Sequence, residues 1–141
     1  MQRVYPAHRE ADVVLRDGST VHVRPVRPED EPAIRTFYEG LSAEARKLRF
    51  FGEAVDLAKA AQEDASVDYR DDFTLIAEAG PTHRIVGVAT YRKLDGDRAE
   101  VALAVADDYQ GRGLGTILVG QLAEIADANG IRVFVAWVLP E

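Results

Sequence analysis

Short apolar, β-branched runs at Asp12–Leu15 and Thr20–Val26, the second alternating with polar residues, stand on either side of Arg16-Asp17-Gly18-Ser19. Asp-Gly between β-branched runs predicts a hairpin. The period then lengthens. Arg27-Pro28-Glu29-Asp30-Glu31 reads as a helix start, with Pro28 near the first turn and three carboxylates by the positive pole of the helix dipole. Ile34, Phe37, Tyr38 and Leu41 follow at helical spacing, and Gly40 marks the stop. Ser42 caps a second predicted helix, Ala43 to Phe51, with Ala45, Leu48 and Phe51 along one side. Asp56 caps a third, ending near Asp64, with Leu57, Ala60 and Ala61 inward. Residues 1–11 have no period and read as loose, and Ser66–Asp72 reads as a polar loop.

Phe73–Ala79 alternates as a strand does, Arg84–Leu94 reads as a second strand and Arg98–Ala106 as a third, with turns at Gly80-Pro81-Thr82-His83 and Asp95-Gly96-Asp97. A glycine-rich turn then leads into an apolar-faced helix bearing Leu114, Ile117, Leu118, Leu122 and Ile125, and a last strand runs from Ile131 to Leu139. Strand, turn, helix and strand in that length form a βαβ unit. Two strands, helices, three antiparallel strands, a helix and a crossover strand predict an α/β (α+β) fold. Its sheet is mixed and mostly antiparallel, flanked by helices, in a single domain spanning 1–141.

Composition narrows the chemistry. The chain has no cysteine, which removes disulfides, thiolate zinc sites and a cysteine nucleophile. His8, His22 and His83 are scattered without ligand spacing, so no metal is expected. Ser19, Ser42 and Ser66 lack the context of an activated serine. The net charge of −7 argues against nucleic acid, whose binding rests on phosphate neutralisation. It is compatible with a basic partner such as an amine or a lysine side chain, and equally with a charge that only keeps the protein in solution. No apolar run approaches the roughly 20 residues a membrane helix needs. The opening MQRVYPAHREADV places charge and proline where an export signal has its apolar segment. A cytoplasmic location is the expectation.

The glycine turn admits three phosphate-binding patterns. A P-loop needs a lysine that Gly111-Arg112-Gly113-Leu114-Gly115 lacks. A dinucleotide fingerprint needs a glycine or alanine where Thr116 stands, and a parallel sheet before it. The third, Q-x-x-G-x-G, is met by Gln110, Gly113 and Gly115. Glycines there let successive N–H groups turn toward an anion, the helix start adds partial positive charge, and Arg112 adds a full one. On the preceding strand, Ala99, Val101, Leu103 and Val105 share one face, and Glu100, Ala102, Ala104 and Ala106 the other. A carboxylate followed by three alanines leaves room over the sheet for a thin ligand.

Residues 84–139, and the Gln110–Gly115 pattern above all, resemble the GNAT superfamily of N-acetyltransferases. The resemblance implies acetyl-CoA as co-substrate, with its pyrophosphate on Gln110, Gly111, Arg112, Gly113, Leu114, Gly115 and Thr116. It implies pairing of the pantetheine with the backbone of Leu103, Ala104 and Val105. Glu100, ten residues before Gln110, takes the place of the family's general base, for direct attack of an amine on the thioester. The plain alternative for Glu100 is an ion pair with Arg98 or Arg92. Tyr91 and Tyr109 are candidates to protonate the leaving thiolate, though each reads first as a packing residue, and Trp137 reads as core or cleft wall.

The segment LRDGSTVHVRPVRPEDEPAIRTFYEGLS, with LRFFG after it, is most similar to bacterial protein lysine acetyltransferases. That implies a protein lysine or small amine as acceptor, an acyl-CoA synthetase among them, in proteins often joined to a further domain. The family's pattern continues after the crossover strand with a helix and two strands, whereas this sequence stops at Pro140-Glu141. The expectation is therefore a cut-down domain or part of a longer protein, able to pair as a homodimer through its last strand. The competing functional reading is a non-catalytic acyl-CoA-binding or sensing domain.

Overall fold

The computed structural model describes residues 4–50 and 55–136. Strands β1 (Ala11–Val14), β2 (Thr20–Pro25), β3 (Asp72–Ala79), β4 (Arg84–Asp95), β5 (Arg98–Val105) and β6 (Val133–Val135) form one sheet in sequence order. All neighbours are antiparallel except β5 and β6, which are parallel. Parallel strands need a crossover, and helix α4 (Leu114–Ala128) supplies it.

Helices α1 (Glu31–Glu39), α2 (Ala43–Phe50) and α3 (Leu57–Ala65) precede β3. They cover the sheet face opposite α4. Two contacts fix this assignment. Gly87 on β4 faces α4, since a Cβ there would stand 2.9 Å from Leu118 Cδ1. Arg92, an odd number of residues further along β4, reaches Asp64 on α3. The core lies in both layers, with Val86, Val88, Ile34 and Tyr38 on one side and Tyr91, Leu114, Leu118 and Leu122 on the other.

The structure departs from the sequence reading in three places. Pro28–Asp30 is a separate 3-10 turn, and α1 begins at Glu31 with Pro32 in its first turn. The Asp30 carboxylate draws the chain there, accepting from the Arg27 N–H at 2.6 Å and from Arg24 at 2.7 and 2.8 Å. In α2 the buried residues are Ala45 and Arg49, while Leu48 is 62% exposed. Arg49 turns inward because buried Asp64 receives its charge, and Phe51 lies outside the described residues. Residues 5–10 are also tied down. The Tyr5 hydroxyl bonds Glu10 and the carbonyl of Pro25, and Arg27 stacks on its ring at 4.1 Å. Such long-range contacts leave no periodic trace in a sequence.

The hairpin β1–β2 carries a pH-dependent pin. His22 lies opposite Asp12 and bonds both Asp12 and Glu10 at 2.9 Å. Hydrogen bonds that the imidazole donates to the carboxylates of Asp12 and then Glu10 raise its pKa above the ordinary 6.5. A raised folded-state value adds stability that is complete below about 6.5 and is lost as pH climbs through the folded value. Wild-type melting temperature should therefore fall relative to His22→Gln between about pH 6 and pH 8. Parallel melting curves across that range would refute the pin.

Candidate functional site

Gly111 (φ +78°) and Gly113 (φ +87°) both lie in the left-handed region, which a side chain enters only with strain. Their turn ends at the start of α4, where Gly113 is the N-cap without a side-chain cap bond. The first N–H groups of a helix have no partner inside it. Here they open into a cleft of about 280 Å³ lined by Arg16, Val105, Tyr109, Gln110, Gly111 and Gly113–Thr116. Gly115 serves differently. It sits inside α4, and a Cβ on it would stand 3.1 Å from Leu103 Cδ2, so its absence lets α4 approach β5 closely.

β5 pairs with β6 only at Arg98, Ala99 and Glu100. Beyond that point its outer edge, through Val105, has no strand partner among the described residues, and Ala136 has already left the strand. That edge points backbone groups of alternate residues outward, from Glu100 toward the glycine turn, where the Val105 carbonyl accepts from Gln110 Nε2 at 3.5 Å. At about 3.4 Å per residue, Glu100 and Val105 are roughly 17 Å apart. The side chains of Leu103 and Val105 turn to α4, and Ala104 turns to the other face, where it is buried.

Glu100 is half-buried and lies directly opposite Arg92 in register. No ion pair joins them. Arg92 bonds Asp64 at 2.8 Å and approaches Glu63 at 3.8 Å, and Arg98 pairs with Asp95 at 3.5 Å. Among the described residues Glu100 has no hydrogen bond or ionic partner, so neither pair of the plain alternative forms. Asp64 itself, 1% exposed, accepts from Tyr38, Arg49 and Arg92. Burial, and then the Asp64 charge, push the Tyr38 hydroxyl far above its usual range.

Most of the sequence-named residues meet along this one edge, from Glu100 through Leu103, Ala104 and Val105 to Gln110–Thr116. Arg112 does not line the cleft. Its guanidinium pairs with Asp17 at 3.1 Å and stacks over Tyr109 at 4.5 Å. The cation that does line it is Arg16, from the β1–β2 turn, which the sequence offered only as a hairpin flank. Tyr91 is fully buried; its hydroxyl donates to the Arg70 carbonyl and receives Asn129 Nδ2, away from the cleft. Burial is the first cause of its raised pKa. Tyr109 is at the cleft, and Trp137 lies outside the described residues. A larger hollow of about 630 Å³ opens between α1, the start of β4 and Ala106–Asp108, and shares no lining residue with the cleft at the glycine turn. Among the described residues no group of three or more His, Asp or Glu could hold a metal ion, and no helix is long and apolar enough to cross a membrane.

A mixed sheet whose strand parts from its parallel neighbour beside a glycine turn and helix start is the arrangement of an acyl-CoA-using transferase fold. The chain belongs to the acetyltransferase (GNAT) family, whose model matches residues 27–141. It is 36% identical over 123 residues to an acetyltransferase of Pseudomonas aeruginosa, covering 84% of this chain and 66% of that protein. It is 31% identical over 131 residues to the acetyltransferase Pat of Mycolicibacterium smegmatis, covering 92% of this chain and 39% of that one. The crystal structure of the GNAT domain of S. lividans PAT superposes with a TM-score of 0.89 at 38% identity, covering 97% of this chain and 82% of that chain. The chain thus spans about two thirds and two fifths of the two curated relatives.

Proposed function

We propose that this domain transfers the acetyl group of acetyl-CoA to a primary amine, a protein lysine foremost, with Glu100 as general base. The observation that carries this is the outer edge of β5 beyond Glu100, which has no strand partner among the described residues and connects a half-buried carboxylate, itself without a described partner, to the glycine turn. Membership of a family that uses acetyl-CoA supports the donor. The resemblance of the Leu15–Ser42 segment to bacterial protein lysine acetyltransferases is what favours lysine as acceptor, with an acyl-CoA synthetase the first protein to try. Backbone groups of Leu103 and Val105 would hold the pantetheine, those of Ala104 being turned to Val88 on β4, and the N–H groups of Gly111–Thr116 the pyrophosphate. Acetyl-CoA supplies the activated acyl carbon. The amine nitrogen bonds to that carbon as the C–S bond breaks, its electron pair leaves on sulfur, and Glu100 takes the amine proton. The thiolate is protonated in its turn from solvent or from an acid at the cleft.

Calorimetry with acetyl-CoA, then thiol release over a panel of lysine-bearing proteins and small amines, tests this reading. Turnover on lysine supports it. Binding without turnover would favour a non-catalytic acyl-CoA-binding module instead, and no binding would defeat both. Gly113→Val supplies a control at the turn. A β-branched residue at φ +87° is strained by about 1–3 kcal/mol. The turn sheds that strain by leaving the left-handed region, which turns its N–H groups off the anion, so acetyl-CoA affinity should drop about ten- to a hundredfold with the fold intact. Unchanged affinity would move the phosphate site elsewhere.

A further inference from the structure

We infer that Arg16, at the tip of the β1–β2 hairpin, is the cation that binds a phosphate of the acyl-CoA substrate. The proposal rests on the acetyl-CoA reading above and goes beyond the family match, which begins at residue 27.

The hairpin tip is fastened to the glycine turn at two points. The Arg16 N–H donates to the Arg112 carbonyl at 3.1 Å, and Asp17 pairs with the Arg112 guanidinium at 3.1 Å. Asp17 is held in its turn by the hydroxyl of Ser19 at 2.6 Å and by its N–H at 3.0 Å. Those Ser19 bonds, the hydroxyl first, keep the Asp17 carboxyl below its usual range, so it is ionised and available to Arg112. Arg112 is therefore occupied on both sides, by Asp17 and by the Tyr109 ring.

The Arg16 side chain runs across the face of Gly113. A Cβ on that glycine would lie 3.1 Å from Arg16 Nε, 3.5 Å from Cγ and 3.7 Å from Cδ. Arg16 makes no ion pair with any described residue, and it is the one charged residue among those lining the cleft at the start of α4. A guanidinium there faces the same point as the N–H groups of the turn. It presents planar paired donors, which match phosphate oxygens better than a point charge does. In a chain of net charge −7, a local cation is what lets a polyanion approach at all.

The test is acetyl-CoA titration calorimetry on the full chain, comparing wild type, Arg16→Met, Arg16→Lys and Arg112→Met. Loss of a charged hydrogen-bonding partner predicts about ten- to a hundredfold weaker binding for Arg16→Met. The loss should shrink as salt is raised, and Arg16→Lys should recover part of it. Arg112→Met should weaken binding less than Arg16→Met. The same titrations with dephospho-CoA identify the group contacted. An equal loss points to the pyrophosphate, and a loss that vanishes points to the 3′-phosphate. Wild-type affinity in Arg16→Met overturns this assignment and leaves the acetyl-CoA reading standing. A wild-type chain that does not bind acetyl-CoA overturns both. Arg16 is exposed, so a change in melting temperature is not expected, and Arg16→Lys serves if Arg16→Met is less stable.

Discussion

Glu100→Gln is expected to lower kcat for amine acetylation by about 10²–10⁴ while acetyl-CoA affinity stays at the wild-type level. The magnitude follows from the acceptor. A lysine amine with a pKa near 10.4 is neutral in roughly one molecule in a few thousand at about pH 7, a burden of about 4–5 kcal/mol on direct attack. A positioned carboxylate relieves much of it, and glutamine keeps the shape without accepting a proton. The surroundings of Glu100 favour that use. Its cross-strand neighbour Arg92 is held by Asp64 and Glu63, and Arg98 by Asp95, so no described cation neutralises the carboxylate. Thiol release measured against pH gives a second readout. The Glu100→Gln rate should climb toward wild type as pH approaches the amine pKa, because free amine no longer needs a base. Equal kcat at neutral pH would remove Glu100 from the chemistry.

Asp64→Ala is expected to destabilise the fold by about 3–5 kcal/mol. Asp64 is 1% exposed and receives the Tyr38 hydroxyl at 2.5 Å, Arg49 at 3.0 Å and Arg92 at 2.8 Å. Without it the Arg49 guanidinium is left buried and uncompensated, with Nε already lacking a hydrogen-bond partner. Arg92, 39% exposed, can turn to water or to Glu63. The main cost therefore belongs to Arg49. Asp64→Leu combined with Arg49→Met should recover much of the loss, because apolar side chains of similar volume often replace a buried ion pair at little cost. Urea titration reads both effects as a shift in midpoint at constant slope. A single-variant loss under about 1 kcal/mol, the scale of an exposed pair, would mean that the cluster does not hold α1, α2 and α3 together. The same variant frees Arg92 opposite Glu100, so loss of activity beyond loss of folded protein would connect the cluster to the site.

Both variants show how unevenly the sequence reports on the molecule. Glu100 was legible because strand alternation places it with Ala102, Ala104 and Ala106, and because it stands ten residues before Gln110. Asp64 was legible only as a helix end. Its role depends on Arg49 and Arg92, 15 and 28 residues away in the chain, and such pairings leave no local pattern. Leu48 misled for the same reason. The helix period alone placed it inward, but the buried charge of Asp64 rotates α2 so that Arg49 faces the interior.

The glycine turn divides in the same way. Local chemistry decided that Gly111 and Gly113 would take left-handed backbone before a helix, since glycine enters that region at little cost. Period and turn signals likewise determined the hairpins, the crossover through α4 and the face carrying Glu100, while the place of β2 beside β3 came only with the sheet. The tertiary structure alone decided that β6 pairs in parallel with β5 at Arg98–Glu100, because strand pairing is a property of two segments. It alone decided that Gly115 serves the close approach of α4 to Leu103. It also exchanged the roles of two arginines. Arg112, inside the motif, is held by Asp17 and Tyr109, while Arg16, nearly a hundred residues earlier, lies across the face of Gly113. Sequence sets which charges are available, and only the packing of a distant hairpin determines which of them remains free.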